Sequence, residues 1–324
     1  MKEEEYEMDR ARTKTPAKKS SARMNAFIKD FELTLLCIPA IVGYFLFHYV
    51  PIFGLTMAFK DYKLAKGIWG SRWVGTKNFD FFFHSVDLAR IVRNTVLYSI
   101  SFIILGLIAN IIIALLLNEI RENRGALKYY QTTMILPNFL SWVIVGYITY
   151  ALFNPNLGVL RQIRQMMGLT ETLDVYKDPK YWPFILCFIN LWKGVGMGSM
   201  FYFAALIGID ESLYEAARID GASRWQQIWH ISLPGIVPLI TILSIMAMGS
   251  VFRGDFGLFY QISRNVQVLY PTTDIIDTYI FRGLQNSNYS MSSTVGFVQS
   301  VVGLIMVAGT NAIVKKISPE NSMF

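Results

Sequence analysis

Charged residues are scarce in this sequence, and several long stretches lack them altogether. Only 16% of the 324 residues are Asp, Glu, Lys or Arg, whereas 53% are hydrophobic, which is more apolar material than the core of a water-soluble domain usually needs. Four uncharged blocks reach the roughly 20 residues that cross a bilayer, and they cover residues 33–59, 94–118, 129–160 and 231–252. The scarcity of charge therefore predicts an integral membrane protein.

Cysteine and histidine are also rare, and the usual motifs of catalytic sites are missing. Cys37 and Cys187 lie in apolar stretches, at a spacing that fits neither a zinc site nor a disulfide framework. His48, His84 and His230 are far apart, and no nucleophile motif accompanies them. No Gly-x-x-x-x-Gly-Lys-Ser/Thr run is present to cradle a nucleotide. We therefore predict no catalytic residue, no metal site and no cofactor in this chain, which we do not expect to be an enzyme.

The formal net charge of +7 does not indicate a nucleic-acid partner. The basic residues form no combined basic and aromatic face, and many of them lie in the first 30 residues. That stretch is charged and poor in apolar residues, so it predicts a flexible tail. No small-residue cleavage site follows the first apolar block, and we expect the block to remain as a helix.

The apolar blocks predict six membrane-spanning helices, because each segment within a bilayer must satisfy its own backbone hydrogen bonds. An even number of spans places both termini on one side, and the distribution of Lys and Arg favours the cytoplasm only weakly. We expect a charged tail over 1–30, a membrane domain over 31–318 and a short tail over 319–324. The six spans are predicted at about 31–59, 94–118, 129–153, 183–209, 236–252 and 294–314.

Prolines and glycines within these spans predict where helices bend or approach one another. Pro137 is expected to kink its helix or to mark a helix start. Gly194, Gly196 and Gly198 form a run in the fourth span, and small residues of this kind favour close helix packing over a ligand site.

A hydrophilic interruption at about 209–235 separates the fourth and fifth predicted spans. Apolar residues recur at helical spacing on both sides of Gly221, which predicts two short amphipathic helices with a bend at the glycine. Exposed apolar stripes of this width need a partner. Acidic and basic residues are mixed on the polar sides, and this favours a protein groove over a membrane surface.

The interruption also carries a fixed set of residues at fixed spacings: Glu215, Ala216, Ala217, Gly221, Ile231, Leu233 and Pro234. This set resembles the cytoplasmic coupling loop of ABC importer permeases, the binding-protein-dependent inner-membrane component family. The resemblance implies an all-α membrane protein with six transmembrane helices, the type I ABC importer permease fold, in the bacterial cytoplasmic (inner) membrane. It also implies that both termini are cytoplasmic.

In that family the loop docks as a short helix into a cleft of the ATP-binding subunit. The resemblance implies that Glu215 offers its charge to a basic residue of that subunit, that Ala216 and Ala217 allow close seating, and that Gly221 makes the turn after Asp220. ATP and Mg are then expected in the ATPase partner rather than in this chain.

Two further segments resemble narrower groups of permeases. Asn78-Phe79 and Asn94-Thr95 look like positions of sugar-type permeases, and 270–282 is similar to a branch that imports polysaccharide fragments, including uronic-acid polymers such as alginate. The resemblance implies a second permease subunit, two ATP-binding subunits, an external solute-binding protein and an oligosaccharide substrate. No large external domain is inserted between spans, so contact with the binding protein must involve shorter loops.

Five residues are candidates for the substrate path. Lys193 is the one charge well inside an apolar block, and it could contact a sugar, extend to the interface, or pair with an acidic residue of the second permease. The aromatic candidates could stack on sugar rings, although Trp and Tyr also collect at interfaces and in packed cores. These candidates are Trp142, Tyr147, Trp192 and Tyr202.

Two other functions are compatible with much of this sequence. A secondary transporter or channel would share the spans but would need no ATPase partner. An ABC permease for another solute class, such as amino acids or phosphate, would share the coupling loop but would lack a segment like 274–282.

Overall fold

The computed structural model describes residues 31–169 and 173–317, and the two predicted tails lie outside these ranges. The chain forms two compact units, one ending at Thr56 and one beginning at Met57, and each is described by itself.

The helix of the first unit changes its geometry along its length. Helix α1 spans Phe31–Tyr44 and continues as a π-helical turn at Phe45–Tyr49 and a 3-10 helix at Val50–Phe59. Pro51 has no backbone N–H to donate to the preceding turn, which explains why regular α-helical bonding stops before it. The stretch Leu35–Phe59 is long and apolar enough to cross a membrane.

The second unit begins with small elements. Strands β1 (Lys60–Asp61) and β2 (Arg72–Trp73) form an antiparallel pair in which Lys60 lies opposite Trp73. The short helices α2 and α3 lie at Gly67–Gly70 and Lys77–Phe83.

The remaining helices make up most of the second unit. They are α4 (Val86–Glu119), α5 (Arg124–Ile135), α6 (Trp142–Phe153), α7 (Val159–Met166), α8 (Trp182–Ile207), α9 (Glu211–Ile219), α10 (Arg224–Gln227), α11 (Leu233–Met248), α12 (Tyr270–Thr273), α13 (Ile276–Gln285) and α14 (Tyr289–Ile317). Short 3-10 turns lie at Leu64–Lys66, Leu136–Phe139, Val175–Lys177, Pro179–Tyr181 and Gln267–Leu269, and π-helical turns at Ile228–Ser232 and Leu258–Ile262.

The predicted mainly helical membrane fold is confirmed, with corrections to individual spans. Within the described residues, five helices are long and apolar enough to cross a membrane, and a sixth span is possible as a bent pair. The predicted span at about 129–153 is sharply bent, because Arg124–Phe139 and Trp142–Phe153 meet at 96°. Pro137 lies in the 3-10 turn before the break, and the Ser141 side chain caps the new helix through the Ile144 N–H.

Several predicted helix ends were also wrong, and the turns missed from the second and sixth spans contain charged or polar residues. The second span begins at Val86 rather than at residue 94, and the sixth covers Tyr289–Ile317 rather than 294–314. The fifth stops at Met248 rather than at 252. The second span was placed too late because Arg90 and Arg93 interrupt its apolar pattern.

Helices α4 and α8 pack along each other and form the centre of the second unit. A Cβ atom at Gly196 would overlap the Met134 carbonyl, and one at Gly198 would lie 2.5 Å from the Asn110 side chain. These two glycines therefore confirm the predicted close packing, whereas Gly194 faces open space. The 34 residues of α4 extend over about 50 Å at the usual helical rise, so its two ends lie in different surroundings.

Candidate coupling and substrate sites

The predicted bent helix pair is present between α8 and α11, and we call residues 209–235 the coupling segment. Gly221 has φ +77° and separates α9 from α10, a backbone conformation that favours glycine. The Asp210 carboxylate accepts the Ser212 N–H at 3.0 Å and caps α9, and this hydrogen bond lowers the pKa of Asp210. Ser223 and Gln226 form a capping box at the start of α10.

Ion pairs join the coupling segment to the C-terminal end of α4. The Arg121 guanidinium lies 2.6 Å from the Glu211 carboxylate, and the Arg224 guanidinium lies 3.3 Å from that of Glu119. Each pair has at least one partner that is more than half exposed, so we expect each to contribute less than about 1 kcal/mol. The ion pairs orient the segment, and buried contacts must hold it.

Tyr214 supplies the buried contact of α9, which was not predicted from the sequence. Its ring is buried, and its hydroxyl is 2.9 Å from the Ser232 hydroxyl in the π-helical turn that leads into α11. The one sequence feature that could have indicated this contact was an aromatic residue within a polar stretch. Its distant partner could not be inferred from spacing alone.

The opposite face of the coupling segment is apolar and exposed. Ile219 is 86% exposed and Trp225 is 72% exposed, and Leu213 and Trp229 are exposed with them. Glu215 and Ala216 are exposed on the same helix, and Ala217 is half-buried. Among the described residues, no salt bridge involves Glu215 or Asp220.

The last residues of the predicted coupling set lie where α11 begins. Ile231 belongs to the π-helical turn, Leu233 and Pro234 are the first two residues of α11, and Pro234 is exposed. Proline has no N–H to bond the preceding helical turn, and the π-helical turn just before it is the place where regular α-helical bonding is interrupted. The segment therefore continues into a candidate span without an intervening loop.

A buried ionic cluster lies at the other end of α4, and we define it as Arg90, Asp274, Thr278 and Arg282. Asp274 is buried, and its Oδ2 lies 3.0 Å from Arg90 and 2.8 Å from Arg282. Thr278 donates its hydroxyl to Asp274 Oδ1 at 3.0 Å. Because two cations share one buried carboxylate, removal of that carboxylate would leave both without compensation.

The residues that carried the sugar-permease resemblance belong to this same framework. The Asn94 amide donates to the carbonyls of Asp274 and Pro271 at 3.0 and 3.2 Å, and the Thr95 hydroxyl accepts the Ile276 N–H at 3.0 Å. These bonds join α4 to the 270–282 segment.

Asn78, the other position that resembles sugar-type permeases, bonds to two backbone carbonyl groups. Its amide donates to the carbonyls of Ala58 and Lys60 at 2.8 and 3.1 Å. The Phe79 ring packs against Phe59 and Phe297. These contacts give the pair a structural role at the start of β1.

A polar cleft of about 200 Å³ lies between α6 and residues 256–264. The Arg264 guanidinium lies above the Tyr150 ring, 4.1 Å from its centre. The lining residues are Val143, Gly146, Tyr147, Tyr260, Gln261 and Arg264. Only Tyr147 of this group was predicted as a substrate-path residue.

Comparison with known proteins places this geometry in a family. The family model described as "Binding-protein-dependent transport system inner membrane component" matches residues 103–319. The chain belongs to this family. The match covers the coupling segment, and the predicted permease family is confirmed.

Similar permeases extend the match to nearly the whole chain. Protein LplB of Bacillus subtilis is 36% identical over 306 residues, which are 94% of this chain and 95% of LplB. The polygalacturonan/rhamnogalacturonan transport system permease protein YteP of the same organism is 34% identical over 297 residues, covering 90% of each chain.

Solved structures show the same fold. A chain in the crystal structure of a bacterial ABC transporter involved in the import of the acidic polysaccharide alginate is 32% identical, with a TM-score of 0.81. The match covers 92% of this permease and 99% of that chain. A second structure, of the bacterial alginate ABC transporter with an alginate pentasaccharide-bound periplasmic protein, gives 32% identity and a TM-score of 0.79. The predicted type I ABC importer permease fold is thereby confirmed.

Lys193 of the permease has partners within its own chain. Its ammonium donates to the Asn138 carbonyl at 2.7 Å and lies 5.0 Å from the centre of the Trp142 ring. Asn138 belongs to the turn that ends at the break in the third span, where carbonyls lack helical donors and attract a positive charge. Lys193 therefore stabilises the break, a role outside the alternatives considered from sequence.

The other aromatic candidates lie in different surroundings. Tyr147 is 67% exposed and lines the polar cleft, whereas Tyr202 is only 4% exposed and packs with Leu117 and Ile236. This burial favours the packing interpretation of Tyr202. Trp192 is 38% exposed, and the structure brings together only Lys193 and Trp142 of the five candidates.

Proposed function

We propose that this chain is one of two permease subunits of an ATP-driven importer of acidic oligosaccharides in the bacterial cytoplasmic membrane. The observation that carries the proposal is the match over 92% of the chain to a permease of the alginate importer. YteP is named for polygalacturonan and rhamnogalacturonan transport. Alginate and galacturonans share carboxylate-bearing sugar residues, and we take this chemistry as the substrate class.

The exposed apolar face of the coupling segment supports a separate ATPase partner. Ile219 and Trp225 form part of an apolar patch of the kind that marks a protein interface. In the proposal, an ATP-binding subunit covers this patch and holds ATP and Mg, while this chain performs no catalysis. Both termini and the coupling segment then face the cytoplasm.

The contacts of the coupling segment suggest how motion reaches the bundle. Arg121 and Glu119 connect it to α4, and its last turn continues directly into α11. A movement of the ATP-binding subunit would therefore displace two candidate spans together. In the proposed cycle, this displacement alternates access to a path shared with a second permease, and an external solute-binding protein delivers the substrate.

The proposal is tested by purifying the chain with its partner subunits and measuring uptake of labelled trigalacturonate and trimannuronate into proteoliposomes. We expect uptake that requires ATP, the ATP-binding subunits and the binding protein. Uptake without ATP would instead support a secondary transporter, and uptake confined to another solute class would overturn the substrate assignment.

Glu215→Lys tests the coupling part separately. Glu215 is exposed and unpaired among the described residues, so we expect the variant to fold and to reach the membrane, but to lose the co-purifying ATP-binding subunit and the uptake. Asp61→Lys is the control, because it makes the same charge change on an exposed residue of β1, outside the coupling segment and the residues that contact it. Full uptake and normal co-purification of Glu215→Lys would contradict the coupling role.

A further inference from the structure

We infer that the polar cleft between α6 and residues 256–264 binds one carboxylate-bearing sugar residue, and that Arg264 distinguishes acidic from neutral saccharides. The inference rests on the proposed function and assigns a binding site to it. A cleft of about 200 Å³ is smaller than the roughly 300–1,000 Å³ typical of pockets for drug-sized ligands. It therefore suits a single ring of a longer chain.

The cleft combines one open and one fixed aromatic ring. Tyr260 is stacked on Phe256 with ring centres 5.0 Å apart and meets the edge of Phe281 at 5.0 Å. Tyr147 is 67% exposed, so its ring is free to pack on the C–H face of a sugar. Gln261 adds an amide that can both donate to and accept from sugar hydroxyls.

The Arg264 guanidinium is held in place by a series of aromatic contacts. It stacks over Tyr150, whose ring meets Tyr176 edge-on at 5.7 Å, and Tyr176 meets Trp182 at 5.0 Å. The Trp182 indole donates to the Val175 carbonyl at 2.9 Å. A guanidinium fixed by its face keeps its N–H edge available for two parallel hydrogen bonds to a carboxylate.

No carboxylate of the protein occupies that edge in the described ranges, 31–169 and 173–317. The nine salt bridges there involve other cations. A stacked guanidinium without an acidic partner, in a cleft with two tyrosines and an amide, is suited to an anionic saccharide. This combination was not visible from the sequence, because residue 264 lies far from α6 along the chain.

The backbone that presents Arg264 is strained. Arg264 and Asn265 have φ +54° and +52°, values that only glycine adopts without cost. Asn265 is held by the Tyr270 hydroxyl, which donates to its side-chain oxygen at 3.2 Å. Strain of this kind persists where the surrounding fold fixes a side chain in one direction, and here that side chain lines the cleft.

Gly146 forms the floor of the cleft. A Cβ atom at this position would lie 2.8 Å from the Gln261 carbonyl oxygen, which is closer than real Cβ contacts allow. The absence of a side chain therefore lets α6 and the 256–264 segment approach each other and align Tyr147 with Arg264.

A larger cleft of about 500 Å³ fits an acidic sugar less well. Its lining includes the Asp277 carboxylate as well as Arg253. Asp277 also accepts hydrogen bonds from the Gly254 N–H and the Gln299 amide at 2.8 and 3.2 Å. A carboxylate in the lining would repel the carboxylate of a uronate.

The test compares Arg264→Gln, Arg264→Lys and the unchanged chain in the complete transporter in proteoliposomes. ATP-driven uptake is measured for trigalacturonate, for trimannuronate and for their fully methyl-esterified forms, which keep the rings but lose the charge. Because every sample contains the same binding protein, differences between variants arise in the permease. Arg72→Gln is the matched control, since Arg72 is exposed on β2, outside the cleft.

We expect Arg264→Gln to raise the half-saturating concentration of the acidic trisaccharides by about tenfold or more, because a charge-assisted hydrogen bond is lost. Arg264→Lys should give an intermediate half-saturating concentration. The maximal rates, and the uptake of the esterified forms, should change by less than about twofold. Arg72→Gln should resemble the unchanged chain.

Two results would overturn the inference while leaving the proposed function intact. One is an unchanged half-saturating concentration of the acidic trisaccharides in Arg264→Gln. The other is an equal loss of uptake for the acidic and the esterified forms in that variant. If the unchanged transporter takes up no acidic saccharide, the proposed substrate class fails first and the inference fails with it.

Discussion

Charged residues hold both ends of α4 to the rest of the chain, but the two ends differ in burial. At the C-terminal end, Arg121 pairs with Glu211, whose side chain is more than half exposed. At the N-terminal end, Arg90 pairs with Asp274, whose side chain is fully buried. Exposed pairs are screened by water and contribute little, whereas a broken buried pair leaves an uncompensated charge.

This difference suits the coupling role proposed for the segment at the C-terminal end. In the proposed cycle, the coupling segment remains attached to α4 while it moves with an ATP-binding subunit, and exposed ion pairs can be exchanged at low cost. The 270–282 segment is fixed by the ionic cluster and by hydrogen bonds from Asn94 and Thr95. The strained turn at Arg264 and Asn265 lies just before this fixed segment in the chain.

Asp274→Ala should have the largest effect on stability, because it leaves Arg90 and Arg282 without their shared carboxylate. We expect a loss of about 3–5 kcal/mol, as for other broken buried pairs, measured as a lower melting temperature in detergent and a lower yield in the membrane. Asp87→Asn is the control, because Asp87 pairs with the same Arg90 but is one-third exposed. Equal melting temperatures for the two variants would contradict the assigned difference in burial.

Gly221→Ala tests whether the bend, rather than the ion pairs, defines the coupling segment. Alanine at φ +77° should cost about 1–2 kcal/mol, and we expect faster amide hydrogen exchange in α9 and α10 together with weaker binding of the ATP-binding subunit. Gly194→Ala is the control, because that glycine is helical and faces open space, and it should be neutral or slightly stabilising. Similar exchange in both variants would show that the bend does not depend on this glycine.

The sequence was sufficient for features that depend on local pattern. Uncharged blocks of spanning length identified membrane helices, and the apolar spacing on both sides of Gly221 predicted the bent pair of short helices. Gly221 was correctly expected at the bend, because a left-handed conformation restricts the choice of residue. Gly196 and Gly198 were correctly expected to allow close packing.

Features that depend on distant contacts could not be predicted. The second span was predicted to begin too late, because the charges of Arg90 and Arg93 argue against a helix in a bilayer. In the structure, Asp274 pairs with Arg90 and the Pro271 carbonyl accepts a hydrogen bond from Arg93. The role of Lys193 depends on Asn138, in a turn that precedes a 96° break. Tyr214 and Arg264 were missed for the same reason, since their partners lie on other elements.

Arg121→Gln should have the smallest effect, and it sharpens the comparison between the two ends. Its pair with Glu211 is short, at 2.6 Å, but Glu211 is largely exposed, so we expect a change in unfolding free energy below about 1 kcal/mol. The segment retains its buried contacts to α4, because Ile209 and Leu233 still pack against the apolar cluster that contains Leu117. Uptake by the variant should remain within about twofold of uptake by the unchanged chain. The difference in uptake between the two should become smaller as the salt concentration is raised, because salt screens exposed charges. A loss as large as that of Asp274→Ala would mean that exposed pairs, not buried contacts, hold the coupling segment to α4.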